Sequence, residues 1–172
     1  MNFKDIKIFQ NKNFFDKRGY FKELFLEKTI KKKIPFIVMS YSKKNVLRGL
    51  HIQVKNSQGK YISVLKGEIF DVAVDLRKNS RTYGKHYSCV LSEKNSKSIY
   101  IPPGFAHGFY SLGDENIVIY GCTNYRNKNS EKTILYKDED LKIKWPIKNN
   151  KIIISKKDRN APTFAEFNMH KK

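Results

Sequence analysis

From Phe36 onward apolar and polar residues alternate with a period of two, the spacing that sends successive side chains to opposite faces of a strand. Runs from Ile37 to Tyr41, Val46 to Gln53, Tyr61 to Leu65, Glu68 to Asp75, His86 to Leu91, Ser98 to Ile101, Gly108 to Leu112 and Asn116 to Tyr125 keep this pattern. Turn-forming residues separate them at close spacing, which predicts an all-β antiparallel sandwich or barrel of jelly-roll type. In Glu68 to Asp75, Phe70, Val72 and Val74 share one face while Asp71, Ala73 and Asp75 share the other, so one face should be core and the other polar. Lys66 and Gly67 before this run predict a tight hairpin turn, and Arg77 to Ser80 after it another.

The N-terminal part follows a different pattern. Asp5 to Phe9 alternates weakly, Asn11 to Asn13 signals a turn, and Phe14 and Phe15 lead into Asp16 to Gly19, which together predict strand, turn, strand. Tyr20 to Lys33 predicts the one helix, a short one, with Phe25, Leu26 and Ile30 on one face and Pro35 closing it. The tail from Asn149 onward carries the apolar run Ile152 to Ile154 and should pack back on the barrel. With no repeat at a fixed period and no low-complexity linker, residues 1–172 are expected to form a single domain.

Composition narrows the function classes. At 172 residues, 40% hydrophobic and 13% aromatic, the chain is too apolar to remain disordered and long enough to bury a core. The N-terminus lacks a continuous apolar run, which argues against a secretory signal and a membrane span, and Cys89 and Cys122 show no metal-type spacing. A cytoplasmic location follows as the simplest expectation. The formal net charge of +19 favours anionic partners. Its lysines, such as Lys31 to Lys33, Lys43 with Lys44 and Lys156 with Lys157, are scattered along the chain, and no helix carries a DNA-reading motif. Nucleic acid is therefore not the expected partner, whereas a phosphate-bearing small molecule fits.

Two histidines are the candidates for chemistry. His51 follows the apolar Leu50 on or beside a strand, and imidazole is the side chain whose charge changes near neutral pH. A lone histidine beside a strand is ordinarily a hydrogen-bonded structural residue, so His51 needs company. His107 stands in Ile101–Pro102–Pro103–Gly104–Phe105–Ala106–His107, where prolines and a glycine fix a sharp turn ahead of it. The two segments resemble the halves of a cupin barrel. The first half offers His51 and Gln53 without a second imidazole, too few ligands for an ordinary metal site, so no catalytic metal is expected.

Six segments in order are informative together: Asp16-x-Arg18-Gly19-x-Phe21-x-Glu23, Arg48-Gly49-Leu50-His51-x-Gln53, Gln58-Gly59-Lys60, Gly67 to Asp75, Pro102 to Phe109, and Ser155-x-Lys157-Asp158. In these the chain closely resembles the dTDP-4-dehydrorhamnose 3,5-epimerase family over nearly its full length. The resemblance implies a cupin-like jelly roll, usually a homodimer, acting without metal or other cofactor. Its substrate would be a nucleotide-diphosphate 4-keto-6-deoxy sugar on the way to L-rhamnose or a related surface sugar. By matching position, His51 would be the base, Asp158 the carboxylate that orients it, Lys60 the cation near the enolate, and Tyr120 the acid on the opposite face. Arg18, Phe21, Glu23, Arg48, His107, Arg126, Glu131 and Lys157 would contact the nucleotide sugar, those near Arg18 and Phe21 reaching into the neighbouring subunit's site.

Protons on carbons beside a ketone are acidic because the carbanion delocalises into an enolate. Inversion therefore asks for a base on one face, an acid on the other and a cation for the oxygen, which are the residue types found. Two departures from the family pattern stand out: Phe36–Ile37–Val38 replaces a polar segment that contacts the base, and Arg126 replaces a stacking tyrosine. They predict weakened discrimination for thymine. A single-centre epimerase, a relative acting on another nucleotide sugar, and a non-catalytic jelly-roll module binding sugar or nucleic acid are the alternatives.

Overall fold

The computed structural model describes residues 3–149 and 151–169. Among the described residues there are twelve strands: β1 Lys7–Gln10, β2 Asn13–Asp16, β3 Gly19–Lys22, β4 Phe36–Lys43, β5 Leu47–Gln53, β6 Lys60–Lys66, β7 Glu68–Asp75, β8 His86–Ser92, β9 Lys97–Ile101, β10 Phe105–Ser111, β11 Glu115–Cys122 and β12 Glu131–Thr133. They pair antiparallel into one sheet of order β1-β9-β6-β11-β4, a second of order β12-β5-β10-β7-β8, and a separate β2–β3 hairpin. Among the described residues three short α-helices, α1 Glu27–Ile30, α2 Lys156–Arg159 and α3 Phe164–Met169, and a 3-10 turn over Lys128–Ser130 complete the fold. The jelly-roll expectation holds.

Between the sheets lies a core of alternate residues: Ile62 and Val64 of β6, Ile69 and Ala73 of β7, Ile99 and Ile101 of β9, Phe105 and Phe109 of β10, and Val118 of β11. The outer faces are covered too. Leu50, Ile52, Val72, Val74 and Ala106 pack under Ile134, Leu141, Trp145, Phe164 and Phe167 from the C-terminal part. Tyr61 and Tyr100 pack under Ile30, Phe9, Phe25 and Ile34 from the N-terminal part. Both faces of β7 are therefore buried, which corrects the expected polar face: Asp71 and Ala73 point into the barrel and Val72 and Val74 into the outer cluster.

Two further expectations are corrected. Lys66 and Gly67 do not make a hairpin, since β6 and β7 belong to different sheets. Gly67, at φ +81°, turns a corner where a Cβ would fall 2.1 Å from the Glu115 carbonyl oxygen. The helix expected over Tyr20 to Lys33 shrinks to Glu27–Ile30, because Tyr20, Phe21 and Lys22 are taken into β3 opposite Phe15, Phe14 and Asn13. Pairs of rings across that hairpin, Phe14 with Phe21 and Phe15 with Tyr20, favour the strand. The C-terminal tail does pack back: Ile153 bridges to Val46, accepts from the Leu47 N–H at 2.9 Å and donates to the Asn45 carbonyl at 2.8 Å.

Candidate active site

His51 owes its position to glycine. Between it and Arg48, β5 runs so close to β10 that a Cβ on Gly49 would lie 2.6 Å from Gly108 Cα and 2.7 Å from the His107 carbonyl, at φ +114°. At the same place the β5–β10 register slips, a bulge of the kind that re-aims side chains. His51 and His107 end directly opposite each other, with Leu50 and Ile52 turned to the outer cluster and the imidazoles turned inward.

The returning tail supplies the carboxylate. Ser155 caps α2 by accepting from the Asp158 N–H at 3.1 Å, which delivers Asp158, 4% exposed, against the β5 backbone. Its Oδ1 lies 2.7 Å from His51 Nε2, and its Oδ2 accepts from the Gly49 N–H at 3.4 Å. Burial pushes this carboxyl up, but His51, the Gly49 N–H and Ser155 outweigh it and hold it below the ordinary range, so it is an anion that fixes the imidazole.

The facing sheet supplies the other groups. Tyr120 on β11 points inward with Val118 and Cys122, and its hydroxyl is 2.9 Å from Ser40 Oγ. Burial drives the phenol's pKa well above the ordinary value, against the Ser40 hydrogen bond, so it keeps its proton. Lys60 on β6 is paired with Cys122 and shares the inward parity of Ile62 and Val64. Burial pushes its pKa down, opposed by Cys122, Asp71 and Glu131. His107 is buried, with Nε2 2.7 Å from Asp71 Oδ2, and its ring stands edge-on to Tyr120 at 6.1 Å.

A cavity of about 580 Å³ brings His51, Lys60, Tyr120 and Asp158 together with Arg48, Arg126, Glu131 and Lys157. Arg48 is steadied by Ser42 Oγ at 3.0 Å and the Tyr41 carbonyl at 2.9 Å. Arg126 grips Glu131 through Nε at 2.5 Å and an Nη at 3.1 Å, holding the Glu131 carboxyl below its ordinary range. His107 and its partner Asp71 are not in the lining; they stand behind it. Arg18, Phe21 and Glu23 are not brought to this cavity within the chain: Arg18 binds its neighbour Asp16 at 2.6 Å, and Phe21 is 70% exposed on the hairpin. The larger groove of about 970 Å³, between β12 and the C-terminal helices, adjoins the site at Glu131, Lys132 and Lys157 without containing its histidine.

Sequence reasoning missed Ser40 and the inward role of Asp71. The alternation in β7 set Asp71 apart from Val72, but marked its face as the polar one opposite the core. Among the described residues no group of three or more His, Cys, Asp or Glu could hold a metal, and no helix is long and apolar enough to cross a membrane.

Fold and cleft together define a cupin-like barrel whose polar cavity is lined by titratable side chains from both sheets. The sequence profile of dTDP-4-dehydrorhamnose 3,5-epimerase matches residues 1–166. The chain belongs to that family. It is 42% identical over 169 residues to the dTDP-4-dehydrorhamnose 3,5-epimerase of Shigella flexneri, covering 94% of this chain and 92% of that one. The Legionella pneumophila dTDP-6-deoxy-D-glucose-3,5-epimerase, solved in complex with dTDP-4-keto-L-rhamnose, superposes with a TM-score of 0.91 at 40% identity, covering 95% of this chain and 89% of that one. The Mycobacterium tuberculosis epimerase gives 0.93 at 31% identity, with 99% and 89% covered. These relatives favour the 3,5-epimerase over the alternatives raised by the sequence.

Proposed function

We propose that the chain epimerises dTDP-4-dehydro-6-deoxy-D-glucose at C3 and C5, giving dTDP-4-dehydro-L-rhamnose. The observation that carries this reading is that His51 and Tyr120 enter one cavity from opposite sheets, the first backed by Asp158. His51 takes the proton from the carbon beside the ketone; Asp158 fixes the imidazole and balances its positive charge. Lys60 stabilises the enolate oxygen, and Tyr120 delivers a proton to the opposite face. Arg48, Arg126 and Lys157, with forked or point-charge donors, take the diphosphate, while Glu131 orients Arg126. Behind the wall His107 supports the cavity from within the barrel.

The base end of the cavity is lined by Phe36, Val38 and Met39, with Phe36 against Tyr125 at 6.2 Å between ring centroids. Such a wall stacks a base but cannot hydrogen-bond it, which supports weak discrimination among nucleobases. Arg18, Phe21 and Glu23 belong in this reading to a partner subunit's site in a homodimer, supported by the exposed rings of Phe14, Phe15, Tyr20 and Phe21 on the hairpin. The chain would act as one domain in the cytoplasm, where nucleotide sugars are made and where the free thiols of Cys89 and Cys122 persist.

Incubating the keto sugar nucleotide with the enzyme in heavy water tests the reaction. The expected result is deuterium at both C3 and C5 with L-rhamno product; no exchange at either carbon would overturn the proposal.

A further inference from the structure

The Tyr120 hydroxyl has a single partner. On β11 its backbone lies opposite Val38 of β4, while Ser40 of the same strand lies opposite Val118. Ser40 is therefore a diagonal neighbour of Tyr120, within reach of a side chain as long as a tyrosine. Its Oγ stands 2.9 Å from the phenol oxygen. Among the described residues that is the one hydrogen bond either hydroxyl makes. Tyr120 lines the cavity, whereas half-buried Ser40 stands behind it. Two residues along β4, Ser42 Oγ accepts from Arg48 Nε at 3.0 Å, so two hydroxyls of this strand back two groups of the cavity.

The bond between Ser40 and Tyr120 can run in either direction, and the chemistry selects one. Each hydroxyl has one proton to give and two lone pairs with which to accept. If the phenol gave its proton to Ser40, that proton would point away from the sugar; if Ser40 gives, the phenol O–H is free to turn into the cavity. The second arrangement also strengthens as the reaction proceeds. The phenol O–H bond breaks and its proton joins the enolate carbon, which supplies the electron pair of the new C–H bond, while the oxygen keeps its own pair as a phenolate. Ser40 retains its proton and now donates to an anion, a bond about twice as strong as a neutral one. The proton taken from the sugar stays on His51, so imidazolium and phenolate balance. Burial drives the Tyr120 pKa up, and of the pulls the other way the Ser40 hydrogen bond is the largest, with Arg48 behind it.

We propose that Ser40 is a positioning residue for the epimerisation: its hydroxyl donates to the Tyr120 oxygen, which turns the phenol O–H toward the sugar and stabilises the phenolate that follows. The inference rests on the reading of Tyr120 as the acid. Ser40 touches no substrate, and it acts on the return of the proton and not on its removal by His51. Loss of its hydroxyl should therefore slow inversion while abstraction continues. The waiting enolate then regains its starting configuration from the His51 side, carrying solvent deuterium.

Ser40→Ala tests this, with the keto sugar nucleotide in heavy water followed by proton NMR. The kcat for inversion should fall about tenfold while KM changes less than about threefold. The ratio of deuterated but uninverted sugar to inverted product should rise about tenfold. In a Tyr120→Phe background the same substitution should move the residual inversion rate less than about twofold, because the group it acts through is gone. A folded Ser40→Ala enzyme with the wild-type ratio would overturn the inference, and so would a loss of about tenfold in both backgrounds. If Ser40→Ala does not fold, Ser40→Cys keeps the size with only a weak donor and carries the same expectations and the same overturning results. A wild-type chain that exchanges no proton defeats the epimerase reading, and Tyr120→Phe inverting both centres at the wild-type rate defeats the acid. Normal wild-type turnover and a disabled Tyr120→Phe, with an unmoved Ser40→Ala ratio, defeat this inference alone.

Discussion

At the scale of single residues, the proposed reaction needs one group to remove a proton and another to return one. Returning the proton from His51 regenerates substrate; inversion needs delivery from the other wall, where Tyr120 stands protonated. Tyr120→Phe should therefore retain deuterium exchange at one carbon at least while doubly inverted product falls by roughly 10²-fold or more. The ring keeps its packing and loses its bond to Ser40, so stability should change by no more than about 1.5 kcal/mol. A folded Tyr120→Phe enzyme inverting both centres at the wild-type rate would remove it from the mechanism. His51 stood out as a candidate because a strand signal surrounds it, whereas the part expected of Tyr120 came from the family resemblance, its parity with Val118 and Cys122 being only consistent with an inward side chain. Asp158 was legible only by family resemblance: nothing in local spacing says that a tail residue 107 positions away meets His51. Ser40 left no signal because its partner lies across the sheet.

At the scale of elements, the glycine contact between β5 and β10 sets where the base stands. Gly49→Ala would place a Cβ 2.6 Å from Gly108 Cα in a backbone region that side chains disfavour. It should cost about 1–3 kcal/mol and lower exchange more than nucleotide binding. A melting temperature and exchange rate equal to the wild type would contradict this reading of β5. The β7–β8 connection is pinned by Asp75, which takes the Arg77 side chain through 2.9 Å and 2.8 Å contacts, along with Ser80 and Thr82 hydroxyls. Burial raises its pKa, yet Arg77, Ser80, Thr82 and the Arg77 N–H bring it to about 2, below the ordinary 3.8. A depressed pKa gives stability that is full above about pH 4 and lost as pH falls toward 2, here about 2 kcal/mol. Asp75→Asn should flatten that acid limb in unfolding experiments; identical acid limbs would assign the loss elsewhere. Strands were legible from alternation. The helix over Tyr20 to Lys33 was overcalled because a helical face and a hairpin rich in aromatics share apolar spacing over so short a run. The four-residue α2 and six-residue α3 were too short to leave a period.

At the scale of the whole molecule, the jelly-roll class was readable because period two persists through so many strands, whereas the division of strands between sheets was not. A corner at Gly67 and a hairpin use the same residue types, and only the tertiary pairing tells them apart. The projecting β2–β3 hairpin carries the account of assembly. In a homodimer it would cover the exposed Phe14, Phe15 and Phe21 and bring Arg18 and Glu23 to a second copy's cavity. Phe15→Ser/Phe21→Ser should therefore shift sedimentation toward monomer and raise KM together; a variant that stays dimeric with unchanged KM would place the interface elsewhere. The large positive charge is spread over lysines along the whole chain, with the cations Arg48, Lys60, Arg126 and Lys157 concentrated at the cavity. The central claim is that one imidazole on one wall of that cavity serves both carbons flanking the ketone. Proton NMR of the keto sugar nucleotide in heavy water with His51→Asn tests it most directly. The account predicts that the C3 and C5 signals both persist, exchange slowed by roughly 10²–10⁴-fold at each, while exchange at either carbon continuing at the wild-type rate would contradict it.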